Sequence, residues 1–258
     1  MLSLRVARAA EAFWRDNPSV AAFPRDMAAA VPWALPVCIV QLPRLRAPVV
    51  RRWLVSARGG ATLAETVPGD DRPLCGCLST FAGNGYIFVN SSDPPDEIRF
   101  TIAHEAAHFM WDYAEPRERS RAVLGDGVLD LFEGMRRPHA DERVAALLAE
   151  VDLEKRTRLF ARDHAGGSLC AATGEAEQAA DRLALELLAP AEHVLAGWQG
   201  APDQPLWDSP AAGLAERLER VYGLLAGAAG VYARQLLAAG GARSFDTWLG
   251  GPVKRGVE

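Results

Sequence analysis

Lysine is nearly missing from this 258-residue chain, with Lys155 and Lys254 the only two, so arginine carries almost all the positive charge. Alongside abundant alanine, that bias matches GC-rich bacterial coding and points to no particular chemistry. Neither sign of charge dominates, with 28 Lys plus Arg against 33 Asp plus Glu and a net charge of −5. Such a balance argues against an extended nucleic-acid surface. Long hydrophobic runs are lacking as well. No stretch of eighteen residues is free of charged and turn-forming residues, which argues against a membrane span. At the N-terminus Arg5, Arg8 and Glu11 interrupt the apolar residues, giving an amphipathic helix and not a signal peptide. Cysteine is sparse: Cys38, Cys75, Cys77 and Cys170 fit neither a zinc-finger spacing nor a small disulfide framework. Cys75 and Cys77, at i and i+2 of an apolar run, are expected on one strand face as buried thiols. A reducing cytoplasm is the expected compartment.

What is present suits a globular protein. Hydrophobic residues make up 49% and charged residues 24%, enough to build a core. The length allows one large domain, or one domain with an appendage. Residues 4–15 show helical spacing that ends at Asn17-Pro18, and 24–31 reads as a short helix closed by Pro32. Pro36 to Pro43 is a bounded apolar run, hence a strand, and 49–57 and 73–80 read as two more. Gly83-Asn84-Gly85 signals a hairpin turn leading into the clearest strand, Gly85-Tyr-Ile-Phe-Val-Asn90. Asp93, Pro94 or Pro95, Asp96 and Glu97 together mark a helix start, with Asp93 as the cap, and the helix is expected over 95–113. A polar, Arg-rich stretch follows over 114–173, with a helical centre around 139–162. Another helix, 174–189, stops at Pro190. Residues 200–210 hold three prolines and read as a linker before two helical patterns in 211–239.

Histidine is scarce, at five residues, so its placement is informative. His104 and His108 lie four apart in His104-Glu-Ala-Ala-His108 and therefore project from one face of the 95–113 helix. Two imidazoles at that spacing can both reach a Zn²⁺ ion. Glu105 lies next to His104, near enough to reach a water on the metal without ligating it. Phe100, Ile102, Ala103, Ala106, Ala107 and Phe109 make the rest of this helix apolar, where burying unpartnered polar groups is costly. The bare motif also arises by chance, and two satisfied core histidines would read the same way. A catalytic zinc needs a third protein ligand. The 174–189 helix places Glu177 on a stripe with Ala180, Ala184 and Leu187, and Asp181 one turn beyond Glu177. Glu177 as ligand, with Asp181 accepting an N–H from a ligating histidine, removes the conflict of acids on an apolar face. Glu175 competes for the ligand role, because helix phase is fixed only to within a residue or two.

Glu97-Ile-Arg-Phe-Thr-Ile-Ala-His-Glu-Ala-Ala-His-Phe109 resembles the ligand helix of the ImmA/IrrE family of bacterial metallopeptidases. The preceding strand ending at Asn90 and the run from Glu177 to Pro190 are similar to that family's other two motifs. Ala179, Leu183 and Ala189 depart from the family's usual glutamate, phenylalanine and methionine, and none of these is a proposed ligand. The gap between His108 and Glu177 is longer than usual for the family, so 114–173 reads as an insertion. His139 and His164 fall within it and are expected to be exposed, and His193, past Pro190, is expected to lie outside the site.

The resemblance implies an α+β, zincin-like core: a small mixed sheet packed on the HExxH helix and a second ligand helix. It places the metallopeptidase domain at 1–199, and a linker with a helix-turn-helix-like tail at 200–258. It implies zinc held by His104, His108 and Glu177, Glu105 as general base, and hydrolysis of a peptide bond. An extended substrate would add to the strand edge at Tyr86, Phe88 and Asn90. The expected substrate is a helix-turn-helix repressor or similar regulator of a stress, mobile-element or toxin-antitoxin circuit. The alternative is a protein that sequesters such a regulator without cutting it, its zinc being structural. The tail offers mainly Arg234 and Gln235 as polar side chains on its second helix, so direct binding of nucleic acid is not expected. No membrane partner is expected.

Overall fold

The computed structural model describes residues 4–18, 22–57, 64, 65, 67, 71–132, 136, 137, 139–148, 158–161, 174–198 and 210–249. The expected linker, His164 and Cys170 lie outside the described residues, apart from Pro210.

Four strands form one mixed sheet: β1 (Val37–Leu42), β2 (Leu74–Phe81), β3 (Asn84–Asn90) and β4 (Arg158–Ala161), in the order β1-β3-β2-β4. β1 runs parallel to β3 with Val37 opposite Gly85, while β2 is antiparallel to β3 and to β4. The β2–β3 hairpin turns on Ala82 (φ 49°) and Gly83 (φ 81°), one position earlier than the Gly-Asn-Gly signal suggests. Positive φ at two central residues is what the strand twist requires of a two-residue turn.

Alternation along the strands splits the core into two layers. Ile87 and Val89 of β3 point to the larger helical layer, and Phe88 points to the opposite face. That opposite face is covered by the helix α3 (Ala47–Ser56) through Val50 and Leu54, with Trp53 edge-on to Phe88 at 5.2 Å.

The larger layer contains α1 (Leu4–Trp14), α2 (Met27–Ala34) and α4 (Pro95–His108). α3 (Ala47–Ser56) and α4 are followed along the chain by a π-helical turn at Phe109–Ala114 and α5 (Glu115–Leu124). A 3₁₀ turn (Asp126–Val128), α6 (Leu129–Phe132) and α7 (Ala140–Leu148) follow, then α8 (Glu175–Leu188) and α9 (Ala191–Ala196) after β4. α10 (Pro210–Tyr222) and α11 (Ala226–Leu249) close the described chain. Their Leu214, Leu218, Tyr222, Ala229 and Tyr232 belong to the same buried cluster as Phe100 and Ala103 of α4. α8 is held from three sides. Trp14 Nε1–H and Arg25 Nη1–H both donate to its Leu187 carbonyl, at 3.1 and 3.3 Å, satisfying a helix-end acceptor. Tyr232 O–H donates to Glu186 at 2.9 Å and ties α11 to the same helix end.

Several sequence expectations are corrected. Residues 49–57 belong to α3 and not to a strand, because Ala47, Val50 and Leu54 bury one helical face and Pro48 suits a first turn. Helix α2 runs past Pro32 to Ala34 and closes with Leu35 N–H on the Val31 carbonyl at 2.9 Å. The end of the expected 139–162 helix is β4, since the open edge of β2 accepts Arg158–Ala161 as a strand. Cys75 and Cys77 lie on opposite faces, because the β2–β4 register shifts between Leu74 and Gly76. Cys38 is exposed, while Cys75 and Cys77 are buried. Asp93 does not cap α4 and instead accepts from the Asn90 side chain. Among the described residues, no helix is long and apolar enough to cross a membrane.

Tyr232→Phe removes a donor from the buried Glu186 carboxylate. Glu186 keeps the Ala191 N–H, so the expected cost is about 1–3 kcal/mol in urea unfolding, the usual worth of one hydrogen bond to a charged group. An unchanged midpoint would show that α11 adds nothing to the hold on α8.

Candidate metal centre

Helix α4 is buried on every side from Phe100 to His108, packed between the sheet and α8. Burial therefore includes its polar residues: His104 and Glu105 are each 1% exposed and His108 is 2% exposed. Charge in such a place requires partners.

The two imidazoles turn their Nε2 atoms toward each other at 3.1 Å. Glu177 Oε2, from the first turn of α8, stands 3.3 Å from both. The three donor atoms thus form a nearly equilateral triangle. Tetrahedral zinc with ligands at about 2.0–2.1 Å requires ligand–ligand distances of about 3.3 Å. Two imidazole nitrogens and one carboxylate oxygen, spaced that way, fit Zn²⁺ in both chemistry and size. Glu175 is exposed and outside this group.

Each histidine has its other ring nitrogen on a carboxylate. His104 Nδ1 lies 2.9 Å from Asp181 Oδ1, one helical turn beyond Glu177 on α8. His108 Nδ1 lies 2.6 Å from Asp112 Oδ2 in the π-helical turn. Sequence reasoning missed Asp112. The signal was available, as an acid four residues after His108 on the same helical path. Burial pulls the His108 pKa down, but the contacts with Asp112 and Glu177 outweigh it and push the ring up to about 9. His104 is also raised, with burial opposed by Asp181 and Glu177. Contacts with the two rings hold Glu177 far below the usual carboxylate range.

Glu105 is not part of the donor triangle. Its side chain lies against β2 at Gly76, where a Cβ would come 2.7 Å from Glu105 Oε1 and 2.5 Å from Thr101 Cγ2. Only glycine leaves that carboxylate its place. The register shift of β2 falls at this position and brings Gly76 to the α4 side.

The substrate edge expected at Tyr86, Phe88 and Asn90 is not an edge. β3 is paired on both sides, because β1 and β2 flank it. Tyr86 and Phe88 pack against Trp53 on the face away from α4. Asn90 is engaged by the chain itself: its Oδ1 accepts from Leu45 N–H at 3.4 Å and Ser92 N–H at 3.3 Å. Of the other histidines, His139 is exposed, and His193 is exposed with its Nδ1 2.9 Å from the Tyr222 hydroxyl. A second donor group, Cys75, Asp93 and Glu97, gathers near the start of α4, where the Cys75 thiol is 3.8 Å from Glu97 Oε1.

Residues 69–125 match the IrrE N-terminal-like domain of the M78 peptidase family. This is the ImmA/IrrE family suggested by the sequence motifs. The M78 match takes in β2, β3, α4 and the π-helical turn, and so includes His104, Glu105, His108 and Asp112. It ends before α8, so Glu177 and Asp181 enter the centre through the fold. No curated protein and no solved structure matches the chain.

Two outcomes follow from this geometry. In protein stripped of metal by a chelator, the raised His108 pKa adds stability that is fully present below its ordinary 6.5 and lost as pH rises through about 9. The lowered Glu177 adds stability that is present above its ordinary 4.5 and lost as pH falls. Thermal melts of the stripped protein should therefore peak between those two values, and a melt still rising from pH 7 to pH 9 would contradict the assignment. Gly76→Ala should cost about 1–3 kcal/mol by overpacking, with Glu105 displaced in a crystal structure of the variant.

Proposed function

We propose that this chain is a zinc-dependent endopeptidase of narrow specificity. One observation carries the reading: a zinc-sized triangle of His104, His108 and Glu177 donors, with Glu105 buried beside it on the same helix. A purely structural zinc has no use for that glutamate. Peptidases of the matched family are zinc-dependent, which supports the same conclusion.

His104, His108 and Glu177 would hold a zinc ion, which would supply Lewis-acid polarisation of the scissile carbonyl and lower the pKa of an attacking water. Glu105 is the residue that would take a proton from that water and pass it to the leaving amine nitrogen. Burial of Glu105 under β2 suits this role, because it keeps bulk water away and strengthens its field at the site. Asp181 would hold the His104 ring with its Nε2 turned toward the donor triangle. Among the described strands β4 lies at the sheet edge next to Gly76, and we propose that an extended substrate pairs there.

The family resemblance supports a protein substrate, and we propose a helix-turn-helix repressor or similar regulator, cut in the cytoplasm. The domain reading proposed with it keeps 1–199 as the peptidase unit, although α10 and α11 share its core.

The test co-expresses the chain with candidate helix-turn-helix repressors from the same genome. Glu105→Gln should lower cleavage by about 10²–10⁴-fold, the usual contribution of a general base, with zinc retained. Glu177→Ala should lose both zinc and cleavage. A wild-type protein that loads zinc, binds its partner and leaves it intact would overturn the peptidase reading in favour of sequestration.

A further inference from the structure

We propose that Asp112 is the positioning residue of His108, carried in place by a π-helical turn built for that purpose. The inference rests on the metal reading above and concerns how this chain prepares one ligand.

His108 is committed at both ring nitrogens. Its Nε2 faces His104 Nε2 at 3.1 Å and Glu177 Oε2 at 3.3 Å, while Nδ1 meets Asp112 Oδ2 at 2.6 Å. Nδ1 is therefore the protonated nitrogen of the ligating form, donating to Asp112 and leaving the Nε2 lone pair for the metal. The carboxylate also blocks rotation of the ring about its Cβ–Cγ bond. His104 receives the equivalent service from Asp181, but across an interface with α8. Asp112 does it from within the segment that carries the ligand.

The turn holding Asp112 has an identifiable cause. Glu115 N–H donates to the Met110 carbonyl, five residues back, so the helix is widened by one residue over Phe109–Ala114. Pro116 follows immediately. It has no N–H for the Asp112 carbonyl, and in an α-helix its ring would press on that oxygen. A wider turn relieves the clash, and such turns recur at functional sites.

The widened turn is fastened at both ends to the β2–β3 hairpin. The Phe109 ring lies over Gly85, where a Cβ would approach within 2.8 Å. The Tyr113 hydroxyl accepts Gly83 N–H at 2.8 Å. Asp112 lies between these anchors and has little freedom to leave His108.

The experiment measures zinc dissociation constants by chelator competition for full-length wild type, Asp112→Ala, Asp112→Asn and the surface control Asp126→Asn. The visible absorption of the cobalt-substituted proteins is recorded alongside, as a report on ligand geometry. Asp112→Ala should bind zinc 10–100-fold more weakly, the usual effect of losing such a partner, with an altered cobalt spectrum and unchanged far-UV dichroism. Asp112→Asn, which keeps an acceptor but loses the charge, should fall between. Should Asp112→Ala fail to fold, Asp112→Asn and Tyr113→Phe carry the test, each expected to weaken zinc binding where Asp126→Asn does not. Wild-type zinc affinity and cobalt spectrum in both Asp112 variants would overturn the positioning role and leave the metal reading standing. Absence of zinc binding by the wild type itself would overturn both.

Discussion

The structure depends on the cost of placing two imidazoles and a carboxylate on a helix with no solvent-facing side from Phe100 to His108. From Phe100 to His108 every residue of α4 is buried, and an unpaired charge there would be expelled or neutralised. Each polar group is consequently placed by something rigid. His104 and His108 are fixed by helical spacing, Glu177 and Asp181 by the packing of α8, and Glu105 by the bare backbone of β2 at Gly76. The tail reaches the same helix, because Tyr232 of α11 donates to Glu186 at the end of α8 away from Glu177, beside the Trp14 and Arg25 contacts with Leu187.

Electrostatics and packing are therefore one arrangement. Three donors at mutual distances of 3.1–3.3 Å could hold a metal ion. Each ring carries a carboxylate behind it, which raises its basicity and keeps its metal-facing nitrogen available. Contacts with Asp112 and Glu177 push the His108 ring up to about 9 against the opposing effect of burial.

Much of the local structure was legible in the sequence. The spacing of His104 and His108, the apolar residues between them and the β3 run are all periodic signals, and periodicity survives folding. Glu177 and Asp181 were legible for a related reason, since acids on an otherwise apolar stripe demand an explanation. The misreadings came where tertiary context overrode local preference. Val49-Val50 suggests a strand, yet α3 forms because Ala47, Val50 and Leu54 bury one face against the sheet. Cys75 and Cys77 were expected on one face, and a register shift in β2 separated them. Asp112 carries the i,i+4 spacing from His108 that an acid partner needs, but the π turn that sets its exact place leaves no periodic trace.

By itself, the sequence determined which residue types could meet on one helical face: two histidines one turn apart, a glutamate beside them, and a second helix with inward acids. These follow from the 3.6-residue repeat, a property of the backbone alone. Only the tertiary structure decided that Glu177 and not Glu175 completes the triangle, and that β3 is an interior strand and not an edge. It also decided that Gly76 makes room for Glu105 and that each histidine has its own carboxylate. Those outcomes depend on distances between segments far apart in the chain. Such distances are set by how the two core layers pack, to which no local repeat gives access.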